Sequence, residues 1–546
     1  MNQNIKIFLV IAILFFSIYT FTSDAHRATS DEDFAQQQAL RIVLQEPDPE
    51  FVLGESGNLF KYPEFWYPYN PGGGVNKCNY GIFCYPAGIP HSVTEVPFIF
   101  LNHHFNFITT ETVVFTVEDF PDAHYVWWRN SVEPSHTFME LFYGPLFSSL
   151  SVATFFLISR AFKYKTTTSL LLAFILGLAT IFFSYSQTSY NNAPAAFFML
   201  VGFLFFKKFI DNQKILYSIV SATFLVFGYM IRHDVVLVII PLFLFLVLTV
   251  IFQKTWTRTS IIHKIKKIVS FTLPLILGYE FDRTIELMRY SVESTRTMAT
   301  DIAGTVTTFG AEGIWALAGS QPVYGTGAFG LLFSPGAGLF IYVPILLTVF
   351  FAFPDFFRKN KLFTILLLVI PSMFIIQFGS MNIWEGYTAW SPKYLYAIIP
   401  FLLLPLGASI EKRGRKILPI ICILGCIGFI FNFVNIIQDV SWFVWSHPGA
   451  HFTGLLGLAL DTGRSCNLYI CPEITWTFQY SPLINSIHLA LTSLHPDLFL
   501  LKLFGIQYYI LTLVSVLSAE FYLLYRILKP RIVPLKDHEE NTEKNI

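Results

Sequence analysis

Apolar runs of about twenty residues recur along the whole chain, split by polar connections of very unequal length. As a helix, such a run is long enough to cross a hydrocarbon core of roughly 30 Å. Twelve spans are predicted, at about 5–21, 138–160, 168–187, 192–206, 213–230, 234–253, 268–280, 336–353, 362–379, 393–409, 417–434 and 501–525. Basic residues mark every second connection. They stand at Lys6, at Lys163 and Lys165, at Lys207, Lys208 and Lys214, and through Lys254, Arg258, Lys264, Lys266 and Lys267. They return at Arg358, Lys359 and Lys361, at Lys412, Arg413, Arg415 and Lys416, and at Arg526, Lys529 and Arg531. Because Lys and Arg collect on the cytoplasmic side of membrane spans, the alternation predicts a multi-pass, all-α polytopic protein of the cell membrane with both termini in the cytoplasm.

The other connections then face outward. Those at 22–137, 281–335 and 435–500 are long, while those near 188–191, 231–233 and 380–392 are short. The first holds fifteen carboxylates against five Lys and Arg. So much external chain suits an enzyme working at the outer face better than a simple channel. The first helix has a lysine at its start, but Phe21-Thr22-Ser23-Asp24 is a poor cleavage site, so it reads as a retained anchor. The membrane body is expected to occupy 1–535, and the charged end, 536–546, reads as a disordered cytoplasmic tail.

Composition narrows the class. Of 546 residues, 54% are hydrophobic and only 13% charged, too few charges to cover a soluble protein of this length. The formal net charge is zero, and nothing points to nucleic acid. Membrane lipids are the expected surroundings. Cys78 and Cys84 fall in one external loop and Cys466 and Cys471 in another, so each close pair can form a local disulfide on an oxidising side. Cys422 and Cys426 lie one helical turn apart in a span and read as small packing residues. His104, His124, His136, His447 and His451 are scattered without ligand spacing.

Few motifs carry chemistry. There is no Walker loop and no H-E-x-x-H, and the Gly325-Thr326-Gly327 cluster, in a predicted external loop, is a poor phosphate loop. Asp31-Glu32-Asp33 stands about ten residues past the first helix. A carboxylate there can act as general base on an acceptor or hold a divalent metal, or simply begin a solvated loop. Lys393, in Trp390-Ser391-Pro392-Lys393-Tyr394, is a cation at the external mouth of a span, either an anion ligand or an interfacial lysine snorkelling beside aromatic rings. Arg232-His233-Asp234 occupies a tight external turn, where Arg232 can pair with Asp234 or meet a phosphate. Rings between Tyr62 and Tyr85 can stack on sugar faces. The glycines of 330–344 allow close helix approach.

Five segments together carry a family resemblance: SDEDFAQQQALRIV at 30–43, YGIFCYPAGIPHSVTEVP at 80–97, FSYSQTSYNNAPAAFFML at 183–200, FGLLFSPGAGLFIYVP at 329–344 and WSPKYLYAIIPFLLLPLG at 390–407. In this order they resemble the GT-C class of integral-membrane glycosyltransferases. More closely, they are similar to prokaryotic dolichyl-phosphate-mannose-protein mannosyltransferase-like and aminoarabinose-transferase-like proteins. The resemblance implies a GT-C-like bundle of about 12 transmembrane helices. It implies inverting transfer from a polyprenyl-phosphate sugar to a glycan, lipid or protein acceptor at the extracytoplasmic face. Asp31 would then be the catalytic carboxylate with Glu32 its neighbour, and Lys393-Tyr394 would contact the donor phosphate. Two departures stand out: Lys393 replaces a usual Arg, and no His lies near Asn191 and Asn192, where related members often have one. No soluble C-terminal domain is expected after the last span, which leaves acceptor recognition to the external loops. A transporter or flippase of lipid-linked sugar and an inactive homologue acting as an assembly partner are the alternatives.

Overall fold

Each of the twelve predicted spans coincides with one helix or with a broken succession of short ones in a computed structural model. The structure describes residues 3–25, 35–36, 39–40, 42–43, 76–77, 83–84, 89–109, 134–252, 258–289, 323–381, 384, 390–437, 452–453, 459–460, 472–492, 496 and 498–529. In chain order the helices that matter here are α1 (Gln3–Phe21), α2 (Ile89–Phe105), α3 (Pro134–Ala161), α4 (Thr166–Leu178), α5 (Ile181–Tyr185), α6 (Asn192–Asn212), α7 (Ile215–Ile231), α8 (Val236–Ile251) and α9 (Arg258–Arg289). They continue as α10 (Val323–Phe333), α11 (Leu339–Tyr342), α12 (Val349–Phe357), α13 (Lys361–Gly379), α14 (Ile399–Leu403), α15 (Leu406–Arg413), α16 (Leu418–Ile437), α17 (Pro472–Trp476), α18 (Pro482–Thr492) and α19 (Phe499–Leu528). Two short antiparallel pairs, Asn76–Lys77 with Phe83–Cys84 and Phe452–Thr453 with Ala459–Leu460, are the strands among the described residues.

Among the described residues, eight helical stretches are long and apolar enough to cross a membrane, and three shorter apolar helices accompany them. Large apolar side chains such as Phe227, Leu244, Leu277, Leu368, Ile423 and Leu511 stay exposed on the outside of the bundle. Exposed apolar surface on this scale is suited to lipid and not to water.

The predicted basic connections gather at one end. Arg160, closing α3, donates to Asn4 Oδ1, and Gln3 donates to the Ile527 carbonyl near the end of α19. Lys207 pairs with Asp211 and sits over the rings of Phe162 and Phe363, at 4.9 and 5.1 Å. Asp355 of α12 accepts from Lys412, Arg413 and Ser409. At the opposite end Ser23 accepts from the Phe499 backbone, and Phe21 accepts from the Tyr509 hydroxyl. The described residues of these basic connections and those flanking the first and last outward connections thus lie at opposite ends of one bundle.

Several elements differ from the sequence reading. The span at 168–187 breaks after α4, because Thr180 leaves helical geometry and its Oγ1 accepts from the Phe182 backbone, starting a new helix. The span at 336–353 is split into α11, a 3-10 turn at Pro344–Thr348 and α12. Gly325-Thr326-Gly327 belongs to helix α10 and not to a loop. A Cβ on Gly327 would lie 2.2 Å from the Gly379 carbonyl oxygen, so glycine is what lets α10 approach α13. Helix α2, within the long first loop, was not expected. Cys422 and Cys426 are exposed on α16 and do not pack inside the bundle.

Candidate active site

The stretch between α5 and the first turn of α6, Ser184 to Asn192, is where the widely separated polar residues meet. Its serines, threonine and asparagines compete for backbone hydrogen bonds and so interrupt the helix. Ser184 Oγ donates to Asn432 Oδ1 of α16 at 2.7 Å, and the Tyr185 hydroxyl donates to the Trp390 carbonyl at 2.7 Å. Gln187 Nε2 donates to Thr22 Oγ1 at 2.9 Å, beside the end of α1. Helix α3 lies close against this stretch. A Cβ on Gly144 would come within 2.4 Å of the Thr188 carbonyl oxygen and 2.6 Å of that of Ser186.

On one side the stretch builds a cationic pocket. Arg232 follows α7 in extended geometry, ahead of a 3-10 turn at His233–Val235. Its Nε donates to Asp234 Oδ2 at 2.7 Å, the pairing read from sequence, and its Nη1 donates to Asn192 Oδ1 and, at 3.3 Å, to Asn191 Oδ1. Asn192 Nδ2 donates to the Lys393 carbonyl at 3.1 Å. The Lys393 ammonium stands 3.7 Å from the centroid of the Tyr190 ring, an attractive cation–π distance. Tyr394 stacks on Phe378 with centroids 4.6 Å apart. Arg232, Asp234, Lys393, Tyr394 and Asn192 line one pocket, together with Tyr396. Two cations and one carboxylate among the lining side chains suit an anion better than a neutral ligand. The three donor-contact residues named from sequence, Arg232, Lys393 and Tyr394, are therefore brought together.

On the other side the same stretch meets a buried carboxylate. Ser189 Oγ donates to Glu140 Oε1 at 2.6 Å, and Gln36 Nε2 donates both to that oxygen and, at 3.1 Å, to Ser189 Oγ. All three side chains are buried. Nearby, Thr94 Oγ1 and the Tyr143 hydroxyl share a hydrogen bond of 2.6 Å, and His91 Nε2 is 3.4 Å from Glu95 Oε1. This cluster went unnoticed in the sequence. A signal existed, since Glu140 is a carboxylate within an apolar run, the placement that marks function in membrane helices.

Burial pushes the His91 imidazole from 6.5 down to about 4, against an opposing hydrogen bond to the Ser189 backbone. Its neutral form is the one the fold holds. The stability it contributes is present above 6.5 and lost as pH falls from there toward about 4. We expect His91→Asn to flatten that part of the stability profile by on the order of 3 kcal/mol. Thermal unfolding in detergent across this window checks it, and a variant that melts as steeply as wild type contradicts it.

Asp31, Glu32 and Asp33 lie outside the described residues, as do Cys78, Cys466 and Cys471. Cys84 is described only in its backbone, opposite Asn76. No group of three His, Cys, Asp or Glu side chains converges among the described residues, so they assemble no metal-binding set. No step below is routed through a metal.

Comparison with known proteins gives a family match over part of the chain. Residues 136–276, which run from α3 into α9 and include Glu140, Ser189, Asn192 and Arg232, match the family model of dolichyl-phosphate-mannose-protein mannosyltransferases. The resemblance read from the motifs is borne out over that region, and the match supports a membrane glycosyltransferase. No curated protein matches the chain. The crystal structure of the Archaeoglobus fulgidus oligosaccharyltransferase in the apo form is similar with a TM-score of 0.46 and 9% identity, over 82% of this chain and 58% of that one. The chain thus spans somewhat more than half the length of that protein.

Proposed function

We propose that this protein moves a sugar from a polyprenyl-phosphate donor to an acceptor hydroxyl or amine at the extracytoplasmic face. What carries the reading is the convergence of Arg232, Lys393 and Tyr394 on a single pocket, reached from chain segments far apart. Such a donor has its phosphate at the membrane surface and its tail in lipid. The pocket belongs to the end of the bundle opposite the basic connections, which the positive-inside rule puts outside.

In this reading Lys393 and Arg232 hold the phosphate. The Asn191, Asn192 and Asp234 contacts keep the guanidinium oriented, and Lys393 supplies a positive charge near the leaving oxygen. Asp31 takes the proton from the acceptor as its oxygen or nitrogen attacks the anomeric carbon. The bond from that carbon to the phosphate oxygen breaks on the opposite face, giving inversion and releasing polyprenyl phosphate. Glu32 or Asp33 orients the acceptor. Gln36 lies three residues beyond Asp33 and is anchored beside Ser189, next to the Tyr190 ring that underlies Lys393. That anchor at Gln36 supports placing the acidic segment on the side of the cationic pocket.

The test is a proteoliposome assay with purified protein, a panel of polyprenyl-phosphate hexoses and pentoses, and cell-envelope glycan as acceptor. We expect release of polyprenyl phosphate with sugar appearing on the acceptor. Donor that crosses the bilayer intact with no release would overturn the proposal in favour of a flippase.

A further inference from the structure

The chain just beyond the acidic residues is held in the bundle along one helical face. Residues 35–36, 39–40 and 42–43 are helical. Gln36, Ala39, Leu40 and Val43 recur at the spacing of a single stripe on a helix. That stripe is the packed one. Gln36 and Ala39 are fully buried, and Leu40 and Val43 join Ala39 against a cluster that includes Met139 and Tyr143 of α3 and Ile99 of α2. Ile42, off the stripe, stays exposed.

Three of the four stripe residues are apolar. The fourth, Gln36, meets the carboxylate of Glu140, which is 1% exposed. Gln36 Nε2 and Ser189 Oγ both donate to Glu140 Oε1. Apolar contacts are non-directional, so Ala39, Leu40 and Val43 set the height of the segment along α3 only loosely. A hydrogen bond is directional, and a slide by one turn would set Leu40 against the carboxylate in place of Gln36. One buried polar pair in an apolar seam is a well-attested way to fix register. Ser189 holds the same carboxylate oxygen, and the next residue, Tyr190, carries the Lys393 ammonium on its ring. Glu140 thereby ties Gln36 to the stretch that borders the cationic pocket.

We infer that Glu140 is a positioning residue: through Gln36 it fixes the register of the helical segment that starts at Ala35, and so the height of Asp31–Asp33 over the pocket. The link to catalysis rests on the function proposed above. Glu140 itself neither takes nor gives a proton in the transfer.

The experiment pairs a distance with a rate, both on full-length protein. Spin labels on Ile42→Cys and Phe105→Cys, two exposed positions, report the register in otherwise cysteine-free protein. Single-turnover transfer, donor binding and thermal unfolding report the consequence. Gln36→Leu puts leucines at 36 and 40, one turn apart, so that a slide buries like for like. We expect the label distance to shift or broaden by about 5 Å, one helical pitch. Turnover falls about 10²-fold through misplacement of the base, while donor affinity and melting temperature stay near wild type. The double variant Gln36→Leu/Glu140→Leu shows the same shift and loss, because the two side chains act as one contact. Glu140→Gln, whose carbonyl oxygen still accepts both hydrogen bonds, keeps the distance and most of the rate. An unchanged distance in Gln36→Leu and in the double variant overturns the inference. So does a Glu140→Gln variant as inactive as the double, which would make the carboxylate a proton carrier, and so does a lost rate that only follows a fall in stability. A shifted distance with wild-type turnover overturns the link to catalysis, and Asp31→Asn separates the two levels. If Asp31→Asn is inactive, only this inference fails; if it too turns over normally, the base assigned above is wrong.

Discussion

Asp31→Asn is expected to abolish sugar transfer, by about 10²- to 10⁴-fold, while the protein still folds and still binds donor. The amide has nearly the shape of the carboxylate but cannot take a proton from the acceptor. Asp31 is five residues from Gln36, so the covalent chain keeps their backbones within about 18 Å of each other. Gln36 itself is buried on Glu140 and Ser189. The check is single-turnover release of polyprenyl phosphate, with folding followed by size exclusion and thermal unfolding. Turnover at the wild-type rate would remove Asp31 as the base.

The second large effect concerns the leaving group. Lys393→Gln is expected to lower kcat/KM by about 10²- to 10³-fold, since in the proposed reaction it deletes the cation near the leaving phosphate oxygen. Lys393→Arg should keep most of the activity, because related proteins commonly carry Arg there and a guanidinium can grip a phosphate with two hydrogen bonds. Arg232 alone does not make up the loss in the Lys393→Gln variant, since it shares its guanidinium with Asp234, Asn191 and Asn192 and brings no second positive charge. Initial rates at varied donor concentration decide this. If Lys393→Gln keeps wild-type kcat/KM, the phosphate is held elsewhere.

How much of this was legible depends on how local each signal is. A span is announced by its own apolar residues and its sidedness by adjacent lysines, so the helical bundle and its two ends could be read directly. Lys393, Tyr394 and Arg232, which the structure brings to one pocket, could be singled out because each sits in a short polar interruption between apolar runs. Glu140 escaped because what gives it meaning lies 49 residues away at Ser189 and 104 away at Gln36. Neither partner is charged. Helix α2 was hidden by its surroundings, a loop rich in proline and glycine. Its stability comes from packing against α3, as the Tyr143 ring against Phe98 and His91 shows. The break at Thr180 carried a capping signal that the apolar length of the run outweighed.

The central claim is that the acidic segment and the cationic pocket face one another at the outer membrane surface. Cysteines placed at Asp33 and Tyr394 in otherwise cysteine-free protein, treated in intact cells with a membrane-impermeant bifunctional maleimide the length of a sugar phosphate, test it most directly. The account predicts a cross-link within the chain that added polyprenyl-phosphate sugar suppresses. Labelling of only one position from outside, or labelling of both with no cross-link at that length, would contradict it.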